Sequence, residues 1–130
     1  MYANALFFKK FIDKLILTFP ASASAVKTYY MYQFAQLLSQ FYSAWISPIV
    51  SLWLMANIFS NFEYKKKMIE IKKDMAAWFT FYESMDWSTL FDPVFVQIMH
   101  VWEDTWAIWE VLGRISKFYM NQFSDKMDTL

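Results

Sequence analysis

The sequence predicts an all-α protein with one kinked transmembrane helix, an N-terminal amphipathic interfacial helix and a helical hairpin outside the membrane. Three observations predict this. Gly occurs once and Pro three times in 130 residues, too few for the many tight turns of a sheet protein. Residues 28–62 form a run of 35 residues with no charged side chain, longer than the roughly 20 apolar residues a helix needs to cross the hydrocarbon core. Hydrophobic residues make up 58% and aromatics 22% of the chain. A chain this short hides that much apolar surface with difficulty, so the excess faces lipid, a partner or both.

The first element, Ala5–Phe19, places Phe8, Phe11, Ile12, Leu15, Ile16 and Phe19 at three- and four-residue steps, with Lys9, Lys10, Asp13 and Lys14 elsewhere. Bulky apolar residues flanked by lysines suit a membrane interface, and Phe11 and Leu15 are candidate lipid or partner contacts. Pro20 ends this helix, and the Ala–Ser alternation of Ala21–Ala25 follows as a linker. The apolar run Leu15–Phe19 is shorter than a secretory signal requires.

The uncharged segment follows, with Phe41–Phe59 as its apolar centre. Tyr29, Tyr30, Tyr32, Phe62 and Tyr64 sit near its ends as an aromatic belt would, and Lys27 and Lys65–Lys67 flank it. Gln33, Gln36, Gln40, Ser43, Ser47 and Ser51 form an uncharged polar stripe. Lipid would turn such a stripe toward another helix, so Gln36, Gln40, Ser43 and Ser47 are candidate contacts. Pro48 removes one backbone donor and kinks the span. A break at Pro48 would instead give a helix from Val26 to Ser47 and a second from Pro48 onward; the single kinked span is the expectation.

Beyond the span, Tyr64, Met68, Ile71, Met75, Trp78, Tyr82 and Met85 step by four and three as a heptad-like seam. A continuous helix from Pro48 to Met85 would be about 57 Å long. Trp78 and Tyr82 mark an aromatic contact point. Residues 86–93 (DWSTLFDP) break the chain, and Asp92–Pro93 is a helix start: a capping oxygen, then a residue preset for the first turn. The helix from Pro93 to about Phe123 carries Trp102, Trp106 and Trp109 in one aromatic patch. The resulting organisation is an N-terminal helix and linker (1–27), a transmembrane segment (28–62), and an extramembrane hairpin and tail (63–130).

Chemistry is sparse. With no Cys, disulfides and thiol chemistry are excluded within the chain. One Gly cannot build a phosphate-binding glycine loop. His100 is the only histidine; with Glu103 and Asp104 it forms at most one edge of a metal site, and a hydrogen-bonded or solvated side chain is the simpler reading. No catalytic, cofactor or metal residues are assigned. Net charge is zero, without the basic excess of a nucleic-acid binder. Residues 63–73 carry five Lys and two Glu, whereas residues 74–110 carry seven acids and no Lys or Arg.

These features predict a non-catalytic accessory subunit of a large multi-subunit membrane complex. Its partners would be the other subunits and membrane lipids. In composition only, the chain resembles the small supernumerary subunits of mitochondrial respiratory complexes and ATP synthases. That resemblance implies a structural role in the mitochondrial inner membrane. The alternatives are a soluble helical interaction protein buried in a large assembly, and a stand-alone small membrane regulator.

Overall fold

A computed structural model describes the backbone of residues 2–18, 20–85, 88–103 and 108–129, and the side-chain surroundings of residues 4–15, 23–85, 88–101, 103 and 110–128. The described residues form helices throughout: α1 (Tyr2–Thr18), α2 (Pro20–Ser43), α3 (Pro48–Ile58), α4 (Phe62–Ala76), α5 (Phe81–Met85), α6 (Pro93–Glu103) and α7 (Ile108–Thr129). The all-α expectation stands; the transmembrane one does not. No helix among the described residues is long and apolar enough to cross a membrane.

The uncharged run fails as a span because it is cut twice. α2 stops at Ser43, and Ser47 starts α3 by accepting the Val50 N–H on its hydroxyl, with Pro48 as the first helical residue. Proline there lacks only a donor that would have no helical partner. It therefore opens a helix rather than kinking one. At the other end α3 gives way after Ile58, and Asn61 caps α4 by accepting from the Glu63 and Tyr64 N–H groups. The expected long helix from Pro48 to Met85 is likewise divided, by this corner and by residues 77–80. Pro20 opens α2, so Ala21–Ala25 is helical.

Over residues 28–39 charge is absent because this part of α2 is enclosed by protein. The helix packs most extensively on α7 and also against α1 and α3. Met31, Phe34, Ala35 and Leu38 are buried at helical spacing along it, and α7 passes Ser39 at Gly113, where even a β-carbon would make only ordinary contact with the Ser39 hydroxyl. α3 and α4 form a second close pair, and α5 joins α4 to α6. Phe34 is fully buried and meets the edges of Phe81, Phe91 and Phe95 at 5.7–6.1 Å between centroids. One level away, Tyr30 stacks on Tyr64 at 4.0 Å and meets Phe59 edge-on at 5.0 Å. The aromatic excess is thus partly a core of ring-on-ring contacts, each contributing about 0.5–1.5 kcal/mol beyond burial.

The hydroxyl groups of this core are satisfied. The Tyr64 hydroxyl donates to the Leu90 carbonyl at 2.6 Å, and the Tyr30 hydroxyl accepts the Asn61 N–H at 3.0 Å. Burial pushes the Tyr64 phenol well above its ordinary value, and the neighbouring Tyr30 adds to the shift. Burial likewise raises Tyr119, with further contributions from the charge of Asp92 and the hydrogen bond to it. The sign follows from linkage. Both groups hold their protons longer in the folded state, so the stability they confer is complete below the unfolded tyrosine value of about 10 and is lost as pH rises beyond it. Denaturation midpoints measured from pH 8 to 11.5 are expected to fall above about pH 10, less steeply in Tyr64→Phe. An equal alkaline slope in that variant would dissociate the loss from Tyr64.

α1 packs on α2 and α4, and it meets the start of α4 through its polar side. Asp13 is buried and accepts the Phe62 N–H at 2.7 Å and the Lys9 ammonium at 3.0 Å. Lys9 also donates to the Ser60 carbonyl at 2.7 Å, and Lys10 lies over the Phe62 ring at 4.4 Å. A carboxylate at the N-terminus of α4 meets an otherwise unpaired donor and the positive end of the helix dipole. Asp13→Ala is expected to lose about 1–3 kcal/mol, the penalty for orphaning that donor. Amide exchange should then accelerate in α1 before the rest of the molecule; uniform acceleration would refute this local role.

Candidate functional site: two tryptophan corners

Two corners of the fold share one construction. At the end of α2, the Ile46 N–H reaches back to the Phe41 carbonyl at 2.9 Å and the Trp45 N–H to the Tyr42 carbonyl at 3.0 Å. At the end of α4, Phe79 bonds to Asp74 at 3.0 Å and Trp78 to Met75 at 3.1 Å. This nested pair of bonds is the Schellman cap, whose left-handed residue is usually Gly. Here both positions hold Trp, at φ 63° for Trp45 and 73° for Trp78. For a bulky side chain that conformation is strained. After each corner a hydroxyl starts the next helix: Ser47 for α3, and Thr80 for α5 through the Glu83 N–H at 3.1 Å.

The two indoles are the most exposed of the large apolar side chains described, Trp45 at 93% and Trp78 at 95%. Neither strain nor exposure favours Trp at these positions in the isolated fold. Topology relates them: Trp45 lies in the turn before α3 and Trp78 in the turn after α4, and α3 packs on α4. Ile49, Val50 and Trp53 continue an exposed apolar strip along α3, and Phe79 lies exposed beside Trp78. Trp is enriched where interfaces concentrate their binding energy, and contiguous apolar surface rimmed by polar groups marks interaction sites.

Sequence-derived contact residues fall in several places. Phe11 and Leu15 are exposed on the outer side of α1, together with Phe7 and Phe8. Gln36 is half-buried and Gln40 exposed on α2. Ser43 ends that helix with its hydroxyl donating to the Ser39 carbonyl, and Ser47 caps α3. Trp78 leaves the heptad seam to which its spacing assigned it, whereas Tyr64, Met68, Ile71 and Met85 are buried along it. Tyr82 is half-buried, its ring 3.9 Å from that of His100. Trp102 and Trp109 belong to α6 and α7, but their side chains, and all of Trp106, lie outside the described residues. The structure therefore places Ser47 at the first corner and Trp78 at the second, and distributes the other described contacts along α1, α2 and α5.

Sequence reasoning missed Trp45 and Trp53. A signal for Trp45 was present: Ala44-Trp45-Ile46-Ser47 and Ala77-Trp78-Phe79-Thr80 are the same Ala-Trp-apolar-hydroxyl tetrad, 33 residues apart. Among the described residues no three His, Asp or Glu side chains converge as a metal site. Asp92 accepts the Val94 N–H and the Tyr119 hydroxyl, Glu103 accepts the Phe81 and Tyr82 N–H groups, Asp74 accepts the Ser84 hydroxyl, and Glu70 pairs with Lys67 at 3.7 Å.

Comparison with known proteins gives two relatives of one kind. The chain is 26% identical over 118 residues to the type IV pilus assembly protein TapC of Aeromonas hydrophila, covering 91% of this chain and 29% of that protein. It is 21% identical over 123 residues to the type IV pilus assembly protein PilC of Pseudomonas aeruginosa, covering 95% of this chain and 33% of that protein. The chain thus spans about a third of the length of these relatives. No protein-family model matches it, and no solved structure does.

These findings correct the functional expectation. The relatives are bacterial pilus assembly proteins, which overturns the respiratory-complex or ATP-synthase subunit and the mitochondrial inner membrane. With no membrane-crossing helix among the described residues, an integral anchor in residues 28–62 is withdrawn. The comparisons support neither the assembly-buried soluble protein nor the stand-alone membrane regulator. Both relatives are named as assembly proteins, which agrees with the expectation of protein partners; neither name specifies a membrane complex or lipids.

Proposed function

We propose that this chain is a non-catalytic helical docking module of a type IV pilus assembly apparatus, holding other assembly proteins against its tryptophan corners. The observation that carries the reading is the pair of strained, exposed indoles, Trp45 and Trp78, on identical caps. The alignment of nearly the whole chain with a segment of two pilus assembly proteins supplies the process. The non-catalytic part rests on how polar groups are used: Asp13, Asp92 and Glu103 hold helix N-termini, and His100 packs on Tyr82.

A photoreactive phenylalanine analogue at position 53 or 79, introduced in the cells that encode the chain, tests this reading. The expected result is a crosslink to a component of the pilus apparatus, together with loss of surface pili when Trp45 and Trp78 are both replaced by Gly. Full piliation in that variant, or crosslinks confined to proteins outside the apparatus, would overturn it.

A further inference from the structure

One side of α4 has no role in the fold. The apolar seam of this helix, Tyr64, Met68 and Ile71, is buried. On the side away from that seam a second stripe follows at steps of three and four: Lys66, Ile69, Lys73 and Ala76, all exposed. The stripe ends just before Trp78 in sequence.

The lysines of α4 divide into two groups. Lys65 donates to the Ala56 carbonyl at 2.9 Å and Lys67 to the Ser84 carbonyl at 3.0 Å, so both tie α4 to its neighbours. Lys66, Lys72 and Lys73 make no hydrogen bond or ion pair among the described residues. The acids of the helix stand apart from the stripe. Glu63, Lys67, Glu70 and Asp74 follow one another at steps of four and three and so share one flank. Within it Glu70 lies 3.7 Å from Lys67, and Asp74 accepts the Ser84 hydroxyl at 2.6 Å. Glu63 occupies the first turn, where the helix dipole favours a carboxylate. A uniformly anionic partner, such as a nucleic acid or an acidic bilayer, would set negative charge against that flank as well as against the lysines. A second helix avoids this. It can place one carboxylate on Lys66 and another on Lys73, two turns and about 10.5 Å apart along the axis, with an apolar side chain between them on Ile69, and leave the acidic flank in water.

We infer that the outer stripe of α4 docks an acidic amphipathic helix of the partner protein, whose carboxylates seven residues apart meet Lys66 and Lys73 while an apolar residue between them covers Ile69. The inference rests on the docking reading above and names the chemistry of the docked segment. The lysines set its register and speed its encounter, and Trp78 beyond the stripe is the aromatic anchor.

The test places a photoreactive phenylalanine analogue at position 69, in the cells that encode the chain, and sequences what it captures. The expected product is a crosslink to a protein segment carrying Asp or Glu at a seven-residue interval. A synthetic peptide of that segment should bind the purified chain, and bind K66E/K73E roughly tenfold or more weakly, mainly through a slower association rate. Replacing its two acids by Lys should restore binding to K66E/K73E, a charge swap that damage to the fold cannot mimic. Both lysines are exposed, so circular dichroism should be unchanged, and K66Q/K73Q supplies the same comparison without reversed charge. No crosslink at 69, a crosslink to lipid or nucleic acid, a captured segment without paired acids, or undiminished binding in both double variants would overturn the inference. The two readings fail separately. Crosslinks at 53 or 79 to the pilus apparatus without one at 69 retain the docking module and remove the acidic helix. An acidic segment captured at 69 from a protein outside the apparatus retains the acidic helix and removes the pilus assignment.

Discussion

Phe34→Ala is expected to lower the free energy of unfolding by about 3–5 kcal/mol, the range for truncating a buried Phe. Total stability of a small domain is about 5–15 kcal/mol, so this one change removes a large fraction of it. The reason is position. Phe34 is fully buried on α2 and joins Phe81 of α5, Phe91 ahead of α6 and Phe95 of α6 through edge-on ring contacts. Truncation leaves a cavity bordered by three rings on separate elements, and no one element can move to fill it. Urea denaturation of the variant beside Phe118→Ala, whose ring is 52% exposed, provides the comparison. Exposed substitutions usually stay within about 0.5 kcal/mol. A loss below about 1 kcal/mol at Phe34 would place the centre of the core elsewhere.

Replacing Trp45 and Trp78 by Gly should move stability and partner binding in opposite directions. Each Trp sits in the left-handed region, where a side chain costs about 1–2 kcal/mol relative to the conformation it prefers and where Gly is the usual choice. Each substitution is therefore expected to raise stability by about 1 kcal/mol, measured by thermal or urea unfolding. An interface anchor of this type contributes about 2 kcal/mol or more, so affinity for the docked protein should fall roughly thirtyfold per residue. Calorimetric titration against the crosslinked partner would measure it. If the glycine variants are less stable, the indoles pack on the fold itself. If affinity is unchanged, the corners are not the docking site.

The helical nature of the chain was legible from local chemistry. One Gly and few Pro left little else, and Asp92–Pro93 starts α6 as its cap and proline require. The apolar steps at Tyr64, Met68 and Ile71 are the buried side of α4. The error in residues 28–62 has a physical origin: a helix enclosed by other helices and a helix enclosed by lipid both exclude charge. Over residues 28–39, tertiary packing on α7 and α1 produced the same absence that a bilayer would. Ser47–Pro48 carried the decisive information, since a capping hydroxyl before proline starts a helix as strongly as proline interrupts one. The corners were harder to see. Trp78 fits a heptad by spacing, and only the left-handed cap turns it outward. Lys126 meets Ser24 across the fold, a proximity no local pattern encodes.

The attachment of α1 has a consequence for how the molecule answers to salt. Its inner seam is made of Lys9, Lys10 and Asp13, and its outer side of Phe7, Phe8, Phe11 and Leu15. Screening weakens the partly exposed charges of the seam, whereas excluded salts such as sulfate strengthen apolar association. Rising sulfate concentration thus weakens the contact of α1 with α4 while making its outer face more adhesive. Its contact with α4 is favoured by dilute solution and its outer face by concentrated solution, giving one short element two opposed responses to ionic conditions.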